Sequence, residues 1–463
     1  MTDLERAVQA IEQGLRTATC IKGRPQERMS LRERMAYFHV PGFSIALIDQ
    51  KEVAWTRGYG VLEAGGDRPV TDETIFQAAS ISKLVTAMVA LSLVEAGLLD
   101  LDADVNNMLR SWRVPENEHT QVHKVTLRGL LSHTAGITVS GYRGYPSGAQ
   151  LPTLLQVLNG EAPAISEPVR VMQPPGTAFR YSGGGYVLAQ QLIEDVTGRP
   201  LADLAQEWLF DKLGMANTTF EYLLPEAYLP QAATAHGDNG EPVPGKWHTY
   251  PEQAPASLWS TPSDLARLAV EVLKSYTNES NIVLSAEMTR QMLTPQVGWV
   301  GLGFPIIEMD GWTRFDHPGW NEGFHSLLVG YPGTGQGLVW MTNGENGKLL
   351  GQEVNRALAG VFGWPGYRPV EKPVTRVEPA VLVQYAGKYR FVDYPDYCAQ
   401  IIKDGECIFL QETPGGLRFQ LYPESETDFF SLDRPEQIIF IKNDTGKVEA
   451  MMIGKNSHLE RVA

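Results

Sequence analysis

The stretch from Ser80 to Ala96 constrains this chain more than any other. It reads SISKLVTAMVALSLVEA, and Leu84, Val85, Met88, Val89, Leu91, Leu93 and Val94 leave almost no polar face. A helix that is apolar all round has to be enclosed by other elements rather than laid on a surface. Gly97 supplies its stop.

The text around this helix predicts an α+β fold. Leu4, Val8, Ile11 and Leu15 recur at helical spacing behind a cap at Thr2 or Asp3. FSIALIDQKEVAWTRGYG alternates and predicts a hairpin, Phe43 to Ile48 and Val53 to Gly60, turning at Asp49-Gln50-Lys51. Residues 100–260 read as mainly helical with long loops. Strand-like text returns at TRFDHPGWNEGFHSLLVGYPGTGQGLVWMTN, followed by a helix at EVNRALAGVFG. Strands at both ends and helices between predict a mostly antiparallel sheet flanked by helices, with an inserted helical subdomain at roughly 100–260.

With 463 residues, the chain is long enough for two or three domains. Residues 1–363 read as the main domain. Residues 364–379, WPGYRPVEKPVTRVEP, carry four prolines and little periodicity, and read as a linker. From residue 380 to 463, short alternating runs are separated by turn residues at 8–12-residue spacing, which predicts a small β-barrel. Three roles are open to this tail: shaping a cleft, mediating a homo-oligomer, or stabilising the chain.

Composition excludes several functions. A net charge of −15 offers no basic surplus to neutralise phosphates, so no nucleic acid partner is expected. No run approaches a membrane span, and no membrane partner is expected. The first residues lack a basic start followed by an apolar run, so the cytoplasm is the expected compartment; a secreted chain trimmed of its leader would look the same. The three cysteines, Cys20, Cys398 and Cys407, are too few and odd in number for a disulfide framework. Cys398 and Cys407 could face each other across neighbouring strands, but reduced core thiols are the expectation.

Three segments could carry chemistry. Ser80-Ile81-Ser82-Lys83 heads the buried helix, and i,i+3 spacing puts both polar side chains on one face. A serine hydroxyl becomes nucleophilic when a neighbour takes its proton, and a lysine in apolar surroundings can be that base. The helix N-terminus adds backbone N–H groups where an oxyanion would form. The alternative is a helix-capping serine. Tyr181-Ser182-Gly183 lies at a loop-to-helix junction, where a phenol could relay a proton or simply be a buried aromatic. In His317-Pro318-Gly319-Trp320, Gly319 would let a substrate approach the backbone, the Trp320 N–H could complete an oxyanion hole, and His317 could relay a proton or be structural. His325 is placed in the same cleft, and His133, in LLSHTAG, reads as structural.

Other chemistries lack their residues. There is no Gly-x-Ser-x-Gly elbow, no His-Glu-x-x-His helix and no phosphate loop. His119 and His123 are four apart but have no obvious third ligand, so no metal and no cofactor is expected.

The order Ser80/Lys83, Tyr181, His317 resembles the serine β-lactamase and penicillin-binding protein superfamily, in its class C-like branch. VPGFSIALI, TIFQAASISKLVTAMVALSLVEAGLLDLD, VTLRGLLSHTAGI, PPGTAFRYSGGGYVLAQQLIEDVTG and LWSTPSDLARL agree with it. The resemblance covers about residues 5–363, and the tail resembles the lipocalin-like barrels appended to some members. It implies that Ser80 is acylated, that Lys83 and Tyr181 share its proton traffic, and that the backbone N–H groups of Ser80 and Trp320 form the oxyanion hole. His317-Pro318-Gly319 stands where relatives carry Lys-Thr-Gly or His-Thr-Gly.

Two departures bear on substrate. Gly183 replaces the Asn of Tyr-x-Asn, whose amide holds a substrate amide, and His317 replaces a carboxylate-gripping Lys. Both favour an ester or a different amide over β-lactams. The expected activity is a carboxylesterase-like serine hydrolase acting on a small ester, amide or short peptide. A D-amino-acid peptidase or carboxypeptidase, a β-lactamase, and a penicillin-binding receptor that acylates without turnover are the alternatives.

Overall fold

The alternating segment near the start forms β1 (Gly42–Asp49) and β2 (Glu52–Gly60), joined through Gln50 and Lys51 at φ 51° and 58°. Two successive positive φ angles match the twist of a tight two-residue hairpin. The computed structural model describes residues 1–412 and 415–462. Strands β3 (Ile306–Met309), β4 (Trp312–Asn321), β5 (Phe324–Tyr331) and β6 (Gln336–Thr342) complete one antiparallel sheet in the order β2-β1-β6-β5-β4-β3. Pairing β1 with β6 joins the two ends of this unit, residues 40–347, and leaves the chain from 61 to 305 to pack outside the sheet.

The apolar helix forms α1 (Ile81–Glu95), in which every residue from Ile81 to Leu93 is buried. It is enclosed by α2 (Gly183–Thr197), the short helix Gln253–Ala256, and β4 and β5. A third helix, α3 (Pro262–Tyr276), lies on β1, β2, β5 and β6, with Thr261 accepting the Asp264 N–H as its cap. Each fully buried Leu or Val on α1 contributes about 1.5–3 kcal/mol, so the helix anchors whatever its first turn carries.

The segment 100–260 is more loop than helix, contrary to expectation. Beyond α2, its helices are short, such as Leu127–Leu131, Leu154–Asn159 and Leu201–Ala205. Pro146, Pro152, Pro163, Pro168, Pro174 and Pro175 explain this, because each blocks helix propagation where apolar spacing alone would permit it.

Residues 1–39 and 348–463 form a second compact unit. Its first helix, Asp3–Gln13, is capped by Thr2, which exchanges hydrogen bonds with Glu5. Within the proline-rich stretch 364–379, Val370–Lys372 pairs in parallel with Thr19–Ile21. Arg34 makes a buried ion pair with Glu353 at 2.6 Å and a second with Asp433. The tail closes as an eight-stranded barrel from Gly387–Phe391 round to Ser457–Arg461. The closing strand, SHLER, has one apolar residue, Leu459, which is buried; so thin an alternation escapes a reading by periodicity.

Cys398 and Cys407 lie on neighbouring strands but do not face each other. Cys407 is opposite Asp404 and Cys398 is opposite Arg390. Both thiols are free and half-buried rather than in the core. Among the described residues, no helix is long and apolar enough to cross a membrane.

Candidate active site

Ser80 stands just ahead of α1 and does not cap it, for its side chain makes no cap hydrogen bond. The preceding Ala79 is held at φ 51°, a region unfavourable for a residue with a Cβ. Neighbouring bonds enforce that turn. Ala78 N–H donates to the Leu258 carbonyl at 2.7 Å, and Ser82 Oγ donates to the Ala79 carbonyl at 2.5 Å and accepts the Leu258 N–H at 2.9 Å. Ser80 is half-buried while the rest of the first turn is covered, so it alone in that turn keeps accessible surface.

Two polar groups converge on that hydroxyl. Lys83 Nζ lies 3.1 Å from Ser80 Oγ, and Tyr181 OH lies 3.1 Å from the same oxygen. Lys83 is 2% exposed, and its Nζ also donates to the Pro255 carbonyl at 3.0 Å. It sits over the Tyr181 ring, 5.0 Å from the centroid. The Pro255 carbonyl is fixed from α2. Gln190 accepts the Ala254 N–H at 3.1 Å and donates to Gln253 Oε1 at 2.9 Å.

Two histidines flank the pair, both buried. His133, at φ 57°, accepts the Ser182 N–H on Nδ1 at 3.1 Å, and its ring packs 4.5 Å from that of Tyr181. Burial, with the Lys83 charge adding to it, holds His133 well below the ordinary histidine range. It is therefore neutral, with its proton on Nε2. His317 donates from Nδ1 to the Pro318 carbonyl at 2.8 Å. Burial first, then Lys83, lowers its pKa to about 3. A neutral imidazole cannot grip a carboxylate as a lysine would.

Strand β4 is pinned beside the Ser80 loop. A Cβ on Gly319 would stand 2.3 Å from the Ala78 carbonyl oxygen and 2.2 Å from Ser326 Oγ. Glycine is required at 319 by the chain's own packing, which differs from the expected approach of a substrate. Asn321 adds two anchors, donating to Gln77 Oε1 at 2.7 Å and to the Ala256 carbonyl at 3.1 Å. His317, Gly319 and Asn321 share one face of β4, as strand alternation requires.

Two expectations change here, at His325 and at Gly183. Trp320 and His325 are register partners, so their side chains occupy the face opposite His317. The Trp320 indole is 59% exposed and donates to Glu345 Oε1 at 2.8 Å, and His325 lies 3.9 Å from the same carboxylate. His325 thus does not share a face with His317. At Gly183, the space for a side chain is filled: a Cβ there would stand 2.9 Å from Cε2 of Tyr142. Gly183 is buried at the start of α2, against that ring.

The sequence reading passed over Tyr142, the positioning contacts of His133 and Glu252. Glu252 is fully buried, and neither carboxylate oxygen has a hydrogen-bond partner among the described residues. Burial raises its pKa to about 8, against the lowering effect of its own backbone N–H. A positive φ at His133 leaves no trace in sequence, and Glu252 sits in PEQAP, a stretch without periodicity.

Comparison with known proteins agrees with this geometry. A family model described as beta-lactamase matches residues 30–361. Penicillin-binding protein 4 of Amycolatopsis lactamdurans is 29% identical over 373 residues, covering 76% of this chain and 93% of the relative. Esterase EstB of Burkholderia gladioli is 29% identical over 201 residues, covering 42% and 49%. An octameric penicillin-binding protein homologue from Pyrococcus abyssi shares the fold with a TM-score of 0.62 at 23% identity, covering 93% of this chain and 98% of that one. With Lys83 and Tyr181 both at Ser80 and the family match spanning most of the sequence, the chain belongs to the beta-lactamase family of serine hydrolases.

Proposed function

We propose that this chain hydrolyses a small ester or amide through an acyl-enzyme on Ser80. The observation that carries the reading is the convergence of Lys83 and Tyr181 on Ser80 Oγ, each at 3.1 Å. Ser80 Oγ attacks the carbonyl carbon while its proton passes to the Tyr181/Lys83 pair, which enters the step one proton short, as the Lys83 amine or the Tyr181 phenolate. The carbonyl oxygen becomes an oxyanion, received by the backbone N–H groups of Ser80 and Trp320. When the tetrahedral intermediate collapses, the bond to the leaving group breaks and the pair returns the proton to that group. Water then repeats the sequence on the acyl-enzyme, releasing the acid and restoring the Ser80 hydroxyl.

Gly183 and His317 favour an ester or simple amide over a β-lactam. Tyr142 occupies the place where an amide-holding side chain would project, and His317 is neutral where a carboxylate would need a cation. A carboxylesterase-like activity fits best, and the esterase among the relatives supports it. The octameric homologue makes a homo-oligomer part of this proposal, to be checked by light scattering.

A panel of small p-nitrophenyl esters, a chromogenic cephalosporin and D-alanyl peptides tests the reading. Turnover of the esters, abolished by Ser80→Ala, is expected. Turnover of the cephalosporin with inert esters would overturn the substrate class.

A further inference from the structure

Strand β4 carries the Trp320 N–H, the second oxyanion donor proposed for the reaction at Ser80, and hydrogen-bond alternation fixes where that donor points. Asn321 and Phe324 close the turn into β5, so the backbone groups of Gly319 and Asn321 face β5 and those of Trp320 face the other edge. Two bonds on that edge follow the same alternation. The Asp316 N–H donates to the Pro305 carbonyl at 3.3 Å, and the Glu322 N–H to the Tyr250 hydroxyl at 3.0 Å. Pro318, between them, has no N–H to offer. Strand β3 pairs with β4 only as far as Phe315, so the Trp320 N–H projects from a length of β4 beyond its reach.

A strand end without a neighbour on one edge needs support from its faces, and Glu345 gives it on the face opposite His317. Its Oε1 accepts the Trp320 indole N–H at 2.8 Å and its Oε2 accepts the Gly323 N–H at 2.9 Å, so one carboxylate spans the turn. The indole is 59% exposed, and it is held by this bond and by the His325 ring, stacked at 6.4 Å, rather than by enclosure. Glu345 is itself fixed through its backbone, whose N–H donates to the His236 carbonyl at 3.0 Å. His236 Nε2 accepts the Ala64 N–H at 3.0 Å, which leaves Nδ1 to donate to the Asn343 carbonyl at 2.7 Å. Gly323, at φ 72°, abuts the same segment: a Cβ there would stand 2.7 Å from the His236 backbone nitrogen.

We propose that Glu345 is a positioning residue for the oxyanion hole, tying the Trp320 indole to the Gly323 amide so that the Trp320 N–H stays in place for the substrate's carbonyl oxygen. The proposal deepens the acyl-enzyme reading and rests on it. Glu345 makes and breaks no bond of the substrate and acts through the strand. A donor out of place by about 1 Å costs on the order of 10²-fold in rate, which sets the scale of the effect.

The test compares p-nitrophenyl acetate with its thionoester, in which sulfur replaces the carbonyl oxygen, each kcat/KM divided by that ester's hydroxide-catalysed rate. Sulfur is larger and a weaker acceptor, so preference for the oxygen ester measures how well the N–H groups meet the oxyanion. Wild type should prefer the oxygen ester. In Glu345→Ala, kcat for that ester should fall by about 10- to 100-fold with KM little changed, and the preference should fall with it. In Trp320→Phe, which cuts the indole bond and leaves the Gly323 bond, both should fall part of the way. A Glu345→Ala chain with its preference intact overturns the proposal whatever its kcat, because a merely structural defect slows both esters alike. Should Glu345→Ala fail to fold, Glu345→Gln and Trp320→Phe decide, and an unchanged preference in both overturns the proposal. A wild type without preference, with Ser80-dependent hydrolysis intact, overturns the Trp320 N–H as a donor and the role of Glu345 with it. Hydrolysis that survives Ser80→Ala overturns the acyl-enzyme reading itself.

Discussion

The Tyr142 ring lies where a side chain on residue 183 would have to stand, 2.9 Å from the position of a Cβ. This contact couples the loop that carries Tyr142 to the first turn of α2, which has Tyr181 at its entrance. It also explains why an asparagine cannot be restored at 183 by substitution alone. Gly183→Ala should lower the melting temperature by an amount equivalent to about 1–3 kcal/mol, the usual cost of overpacking. Adding Tyr142→Ala should recover part of that loss. A Gly183→Ala chain that melts with wild type would show that the ring moves aside freely.

Tyr181 is the second group on Ser80, and its loss should be felt in turnover. Tyr181→Phe keeps the ring against His133 and removes only the hydroxyl. We expect kcat to fall by about 10²–10⁴, the range for one general acid–base group. A rate near wild type would mean that Lys83 acts without it.

His133 acts through Tyr181 and Ser182 as a positioning residue. His133→Asn tolerates the positive φ while removing the imidazole that packs against the Tyr181 ring. Loss of that support should lower kcat by about 10- to 100-fold with KM little changed, because the reacting groups are misplaced while the cleft remains. Equal losses in kcat and thermal stability with a raised KM would instead indicate a purely structural role.

The first turn of α1 was the most legible part of the site. A Ser and Lys at i,i+3 on a helix with no polar face can hardly point anywhere but into a covered pocket. The faces of β4 were legible too, since Trp320 is three residues from His317 and alternation alone separates them. Glu252 and Tyr142 were not legible, because they meet through loops closed by contacts distant in sequence. In the tail, apolar alternation revealed a barrel, while its closing strand, with Leu459 alone inward, stayed hidden.

Two buried groups give opposite pH dependences of stability. Glu252 titrates at about 8 when folded against an ordinary 4.5, chiefly through burial. Between those values the folded chain keeps a proton that the unfolded chain releases, so this contribution to stability declines as pH rises. His317 is lowered from 6.5 to about 3, so its contribution is present above 6.5 and is lost as pH falls toward 3. The melting temperature of Glu252→Gln relative to wild type should therefore climb across the range from 4.5 to about 8. A constant difference across that range would contradict a buried, unpaired carboxyl.

The central claim is that Ser80 forms the covalent bond. Treating the full-length protein with an alkyl fluorophosphonate and mapping the adduct by peptide mass spectrometry tests it most directly. The expected result is a single phosphonyl adduct on Ser80, absent from Ser80→Ala. An adduct on another residue with Ser80 unmodified, or no adduct while ester hydrolysis continues at full rate, would contradict it.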